Sequence, residues 1–228
     1  MNKHNHQTDL VFLPGWGFHA TVFECLTPYF PEQRLHFLDL PPLNNRCISE
    51  VVHEVAHQLP PRSTLAGWSL GGLMAIELCA QFPERFDKLV LLASTPKFSA
   101  GADWQGINSA RINAFIFAAK QDMQQCLHAF LKLVCFPAAA RRAAEYFATH
   151  TIQDHAALLS YLPYLFQSDL RTACSNLTQP VLSIAGDRDA ILAAEPANSL
   201  IISGAGHALF FTHAAAVCRH ITSFLDAE

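Results

Sequence analysis

Short, predominantly apolar runs recur along the chain: Leu10-Val11-Phe12-Leu13, Leu35-His36-Phe37-Leu38, Ser63-Thr64-Leu65-Ala66, Leu89-Val90-Leu91-Leu92-Ala93, Val181-Leu182-Ser183-Ile184-Ala185 and Leu200-Ile201-Ile202. They do not alternate with polar residues, so they predict strands buried on both faces, the pattern of a parallel sheet. Turn residues close them: Pro14-Gly15-Trp16-Gly17, Asp39-Leu40-Pro41-Pro42, Ser94-Thr95-Pro96, Gly186-Asp187-Arg188-Asp189 and Gly204-Ala205-Gly206-His207. Between the runs, helices are predicted over 21–29, 47–59, 70–81 and 214–225, the second stopped by Pro60-Pro61 and the third by Pro83.

The rhythm changes between 98 and 169, where four helical patterns (110–119, 123–136, 138–153 and 155–166) follow one another with no convincing strand. Strand–helix alternation predicts a mostly parallel sheet with helices on both faces. Ligands of such sheets bind beyond the carboxyl ends of the strands. The expected organisation is therefore an α/β core over 8–97 and 170–228, with 98–169 inserted as a helical cap above those ends. No internal repeat is visible.

Composition narrows the class. The 228 residues suffice for one α/β domain carrying an insertion, and 51% apolar with 15% charged residues means a globular chain. No apolar run approaches the roughly 18–20 residues of a membrane helix. Residues 1–9 are polar and lack the apolar stretch of a secretory leader, so a cytoplasmic protein is expected. His4 and His6 in this tail are expected to be solvated. Seven scattered cysteines argue against a disulfide framework and a zinc site, and a net charge of −4 gives no reason to expect nucleic acid. No metal or other cofactor, no membrane and a monomer are expected.

Candidate chemistry centres on Gly67-Trp68-Ser69-Leu70-Gly71, a G-x-S-x-G nucleophile elbow between a predicted strand and a predicted helix. A helix N-cap serine after a glycine turn would read the same in isolation. Acyl transfer by serine also needs a base, a carboxylate to orient it and N–H donors for the oxyanion. Ser69, Asp189 and His207 occur in the order nucleophile, acid, base, and each follows a predicted strand. Asp187 is a rival acid, and His213 and His19 are rival bases. His213 is expected to begin the last helix, while His19 could line a pocket. The oxyanion donors would be the N–H groups of Leu70 and of Trp16. The side chains of Trp16 and Trp68 would flank the nucleophile and bound substrate.

The sequence resembles the α/β-hydrolase family over nearly the whole chain outside the tail. More narrowly it is similar to the family of carboxylesterases that demethylate pimeloyl-carrier protein. The residues behind this are Leu13-Pro14-Gly15-Trp16-Gly17, Gly67-Trp68-Ser69-Leu70-Gly71-Gly72, Pro83-Glu84-Arg85 and Ala93-Ser94-Thr95-Pro96-Lys97-Phe98-Ser99-Ala100 with Trp104 and Gly106-Ile107. Pro14 stands where that family usually has His. The resemblance implies an α/β-hydrolase fold, Ser69 as nucleophile, Asp189 as acid, His207 as base, and the Trp16 and Leu70 amides as oxyanion donors. It implies substrate contacts from Trp16, Trp68, Ser69, Leu70 and His207, and from Phe130, Leu131, Lys132, Leu133 and Val134 in the cap. It also implies a role in biotin synthesis with an acyl carrier protein as partner.

The charge of the cap bears on that partner. From 111 to 142 the chain carries Arg111, Lys120, Lys132, Arg141 and Arg142 against the acid Asp122. Arg111, Lys132, Arg141 and Arg142 are the expected carrier contacts, since a basic patch raises the encounter rate with an acidic protein. A solvated helix face would look alike. A general short-chain carboxylesterase or a thioesterase would share the triad. A non-catalytic binding scaffold of the same fold would have no need of the Ser-Asp-His order.

Overall fold

The computed structural model describes residues 8–137, 141–193 and 198–227. The histidines expected in the tail lie outside them. The strands are β1 (Asp9–Leu13), β2 (Arg34–Phe37), β3 (Ser63–Trp68), β4 (Phe86–Leu92), β5 (Val181–Gly186) and β6 (Leu200–Ile202). All pair in parallel, in the order β2-β1-β3-β4-β5-β6. The helices are α1 (Ile48–Gln58), α2 (Leu70–Gln81), α3 (Ser109–Gln121), α4 (Met123–Cys135), α5 (Arg141–Thr149), α6 (His155–Gln167), α7 (Arg171–Ser175), α8 (Leu209–Thr212) and α9 (Ala214–Asp226).

Every residue of β3 is buried, as are the last four of β1 and of β4. Strands buried this way need cover on both sides. The group α1, α2 and α7 packs together, as does the group of α8, α9 and the helix over Ala20–Tyr29, each group against the sheet. The chain turns opposite ways after β1 and after the helix that follows β2, so strand order reverses between β1 and β3. The crevice at such a reversal is where α/β sheets place ligands.

Helices α3 to α6 lie between β4 and β5, in the span read as helical. The two ends of this insert are pinned together: the Leu170 N–H donates to the Pro96 carbonyl at 2.9 Å, and Lys97 pairs with Asp169 at 2.8 Å. The insert docks on the loops after β1 and β2. The Ile152 N–H donates to the Gly17 carbonyl at 2.9 Å, the Trp16 indole N–H to Leu158 O at 2.9 Å, and the Tyr161 hydroxyl to Pro41 O at 2.5 Å. Phe147 of α5 packs against Phe18, Trp68 and Phe210, so one aromatic cluster joins insert and core.

Several elements differ from the sequence pattern. The helix expected over 21–29 winds as a 3₁₀ helix over Ala20–Tyr29 with Pro28 inside it. Pro28 has no N–H to give to an α-helical bond, and at ten residues the segment is long for a 3₁₀ helix. β3 runs two residues further than expected, into the elbow itself. The single helix expected over 138–153 is described as Arg141–Thr149, and the chain then bridges Phe18 through Thr151. Residues 138–140 lie outside the described residues. α7 and α8 are too short to leave a periodic signal.

Close backbone approach at the crevice rests on glycine. A Cβ on Gly71 would collide with the Leu13 carbonyl, and one on Gly67 with the backbone of Gly71 and Gly72. Neither obstacle can rotate away. Gly71→Ala is expected to destabilise the fold by about 1–3 kcal/mol or more, read as a lower urea midpoint. Gly101→Ala, where a Cβ would meet nothing nearer than 3.4 Å, is the control and should leave the midpoint in place.

Candidate active site

Ser69 joins β3 to α2 with φ 54° and ψ −118°, a left-handed backbone that side-chain-bearing residues rarely adopt. Three hydrogen bonds hold it there. Its N–H donates to Leu92 O at 3.0 Å, and its carbonyl accepts from the Gly72 N–H at 2.9 Å and the Ser94 hydroxyl at 2.7 Å. Ser94 follows β4 as Ser69 follows β3, so neighbouring strand ends brace each other. No sequence motif marked Ser94 for this task.

Asp189 and His207 sit in the loops after β5 and β6. His207 is wholly buried, and its Nδ1–H donates to Asp189 Oδ2 at 2.8 Å. An ionised carboxylate only accepts, so the proton belongs on Nδ1 and the Nε2 lone pair is free. His207 Nε2 is buried with no hydrogen-bond partner, and Ser69 Oγ makes none among the described residues. The other Asp189 oxygen accepts the Ile191 and Leu192 N–H groups at 2.8 and 3.0 Å. Burial acts to raise the Asp189 carboxyl, but the facing His207, its hydrogen bond and the two backbone donors outweigh it and hold the group below the usual carboxylate range.

The rivals take other posts. Asp187 is exposed and accepts the Gly204 N–H at 2.7 Å and the Ser203 hydroxyl at 3.2 Å, so it shapes the turn before His207. His213 caps α9, and the pocket role considered for His19 is not met, because its ring turns to Asp39 at 2.7 Å and is half exposed.

Leu70 is the first residue of α2, so its N–H has no acceptor within the helix. The Trp16 N–H, in the turn after β1, makes no backbone hydrogen bond among the described residues. β1 and β3 are paired neighbours with Leu13 opposite Gly67, which brings both turns to one edge.

A cavity of about 70 Å³ lies against Ser69, walled by Trp16, Phe98, Ile107, Ile112, Phe115, Phe130, Leu133, Leu165, Phe166 and Ile191, with Arg111 as its one charged wall residue. Of the residues expected to touch substrate, Trp16, Ser69, Phe130 and Leu133 line this cavity, and the side chains of the others lie elsewhere. Trp68 is fully buried beneath the site, where its indole N–H donates to His207 O at 2.9 Å. It supports the histidine loop, because the aromatic cluster holds its ring away from the cavity. Val134 is buried on the inner side of α4, Leu131 is half-buried off the cavity, and Lys132 is exposed. One turn of helix cannot aim five consecutive side chains at one cavity. Leu70 lines a smaller, separate cavity with the turn after β1, and His207 is shielded completely. Phe98 and Ile107 belong to the stretch that carries the resemblance but were given no role there, and Phe115, Leu165 and Ile191 carried no motif, since an apolar wall residue reads like a core residue.

Of the cations, Lys120, Lys132 and Arg142 are exposed, and the Arg141 side chain lies outside the described residues. Arg111 turns to the cavity and donates to Ala190 O at 2.8 Å. Among the described residues no cluster of metal-ligating side chains forms, and no helix is long and apolar enough to cross a membrane.

Residues 10–220 match the family described as "Alpha/beta hydrolase family". The pimeloyl-[acyl-carrier protein] methyl ester esterases of Edwardsiella ictaluri and Pectobacterium carotovorum are each 32% identical to this chain, covering 96% of it and 94% and 95% of their own lengths. That of Sodalis glossinidius is 30% identical over 96% of this chain and 94% of its own. An esterase from Exiguobacterium antarcticum superposes with a TM-score of 0.81 at 19% identity, over 96% of this chain and 92% of that one. An enol-lactonase from Burkholderia xenovorans superposes with 0.78 at 17%, over 99% and 94%. At such identities the superpositions speak for the fold.

The depressed Asp189 carboxyl has a consequence for stability. A group held down in the folded state contributes stability above its unfolded pKa of about 3.9, and that contribution is lost as pH falls through the folded value. Asp189→Asn is expected to lower the urea midpoint at pH 7, with the gap to the parent narrowing below about pH 4. A gap of constant size across that range would show that the charge of Asp189 does not stabilise the fold.

Proposed function

Because this chain belongs to the alpha/beta hydrolase family, we propose that it is a serine carboxylesterase, and that its substrate is the methyl ester of pimeloyl-[acyl-carrier protein]. The observation that carries the chemistry is the buried Asp189–His207 pair with a free Nε2, on the sheet edge where the strained Ser69 meets an apolar cavity. Ser69 Oγ attacks the ester carbonyl as His207 Nε2 takes its proton. The Leu70 and Trp16 N–H groups receive the developing oxyanion, and the positive end of α2 favours it. His207 then gives its proton to the departing methoxide, which leaves as methanol. The same nitrogen activates a water that frees the acyl chain from Ser69. The step requires a hydrogen bond from Ser69 Oγ to His207 Nε2, and catalytic hydrogen bonds of this kind commonly tighten in the substrate complex.

Substrate choice rests on different support. The relatives at 30–32% identity bear this activity in their names. The narrow, almost wholly apolar cavity suits a methylene chain rather than a bulky or polar acyl group. In this reading residues 98–169 act as the cap that shapes it, and the exposed Lys132 and Arg142 meet the acidic carrier.

Mass spectrometry of pimeloyl-carrier protein methyl ester after incubation with the purified chain tests the proposal. The carrier-bound acyl group should lose the mass of one methylene. Ser69→Ala should slow this by about 10⁴-fold or more while leaving the melting transition in place. Release of the whole acyl chain would make the protein a thioesterase. Full activity of the Ser69→Ala variant would overturn the nucleophile assignment.

A further inference from the structure

Arg111 occupies a place that neither the fold nor the triad explains. It is the third residue of α3, and it lines the same cavity as Ser69, among walls that are otherwise apolar. One terminal N–H₂ group donates to the Ala190 carbonyl at 2.8 Å. That bond sets the direction of the side chain, since Ala190 is held between Asp189 and Ile191 in a loop tied to the triad. Arg34, Arg46, Arg62 and Arg171 each pair with a carboxylate, whereas Arg111 pairs with none among the described residues. A guanidinium has five donors in a rigid fork and keeps its charge at any working pH. With one donor spent on a backbone carbonyl, the rest stay available to an acceptor entering the cavity.

We infer that Arg111 is a specificity-determining residue that, in a carrier-free ester, reads a carboxylate at the far end of the acyl chain, where the carrier-bound ester has its thioester. The chain would then also hydrolyse carrier-free monomethyl esters of straight dicarboxylic acids, in preference to methyl esters of fatty acids of equal length. The inference rests on the esterase reading above and deepens it. The ester end of such a substrate lies at Ser69, its methylenes lie along Phe115 and Phe130, and its carboxylate meets the Arg111 fork. A carboxylate there gains charge-assisted hydrogen bonds, whereas a methyl terminus leaves the guanidinium facing apolar atoms. Arg111 is exposed on its outer side, so the attraction is screened by salt.

The test compares kcat/KM for methyl hydrogen pimelate and methyl heptanoate, which differ only in the distal group. The parent protein should favour the acid by about tenfold at low salt, and less at 0.5 M NaCl. In Arg111→Leu the ratio should fall to about one, and Arg111→Lys should keep part of it, because a point charge replaces the fork. The ratio within one variant is the readout, so any loss of folding or of triad alignment cancels. A parent ratio near one overturns the inference, and so does a preference that survives in Arg111→Leu. If Arg111→Leu leaves the free-ester ratio intact and slows only the carrier-bound ester, Arg111 is a carrier contact and the inference fails. Hydrolysis of neither free ester, in protein whose Ser69 reacts with a fluorophosphonate, overturns the inference while the mass-spectrometric test of the carrier-bound ester still decides the esterase reading.

Discussion

The backbone of Ser69 is the constraint on which the rest of the site depends. A φ of 54° with ψ −118° costs a residue with a side chain on the order of 1–3 kcal/mol. It persists because its surroundings leave no alternative. A hydrogen bond to the Leu92 carbonyl and others from Gly72 and Ser94 hold both its peptide groups, and α2 packs so closely on β3 and on the end of β1 that only glycine fits at 67 and 71. Ser69 lies at the sheet edge where Trp16 and the first N–H of α2 are found.

The same logic extends outward through the strand ends. β1, β3, β4, β5 and β6 each terminate in a residue that the site uses or rests on: the Pro14–Gly17 turn, Ser69, Ser94, Asp189 and His207. Parallel pairing brings all those ends to one side. The insert is not merely laid over them. It is stitched to the β1 turn through Gly17 and Trp16, and the Phe136 carbonyl approaches the histidine turn so closely that Gly206 can carry no side chain. Trp68, buried beneath the serine, ties the elbow to the carbonyl of His207. Groups far apart in sequence are thus held through contacts to backbone carbonyls.

Much of this was legible before the structure. Continuous apolar runs closed by Gly, Pro and Asp marked the strands, and the order Ser69, Asp189, His207 after three of them marked the site, because period and turn chemistry are local properties. What failed was whatever depends on the direction of a side chain. Trp68 was expected to wall a pocket and instead supports His207, Val134 was expected to touch substrate and is buried, and Arg111, expected as a carrier contact, also lines the cavity. A helical segment shows which positions share a face, but not which face the tertiary packing turns inward. Asp187 and Asp189 are equal as sequence. Only the turn at 203–204, which takes up the first, separates them.

Two energetic costs coincide at this edge. Ser69 is strained, and His207 Nε2 is buried without a partner, which costs roughly 1–3 kcal/mol when a group is truly desolvated. Elsewhere the same chain relieves such costs readily: Trp16, Trp68, Tyr146 and Tyr161 each find a backbone carbonyl for their buried or half-buried polar atom. Ser63 Oγ, Arg85 Nε, the Tyr164 hydroxyl and Gln179 Oε1 are further buried atoms without a partner, and none of these residues lines the cavity at Ser69. A free nitrogen already oriented by Asp189, beside a serine already held at the sheet edge, needs little rearrangement to accept a proton. Both costs are borne in the folded state, so they need not be met again in the transition state. That is the physical meaning of a preorganised site, in which strain and an unpartnered nitrogen meet at the residues to which the chemistry is assigned.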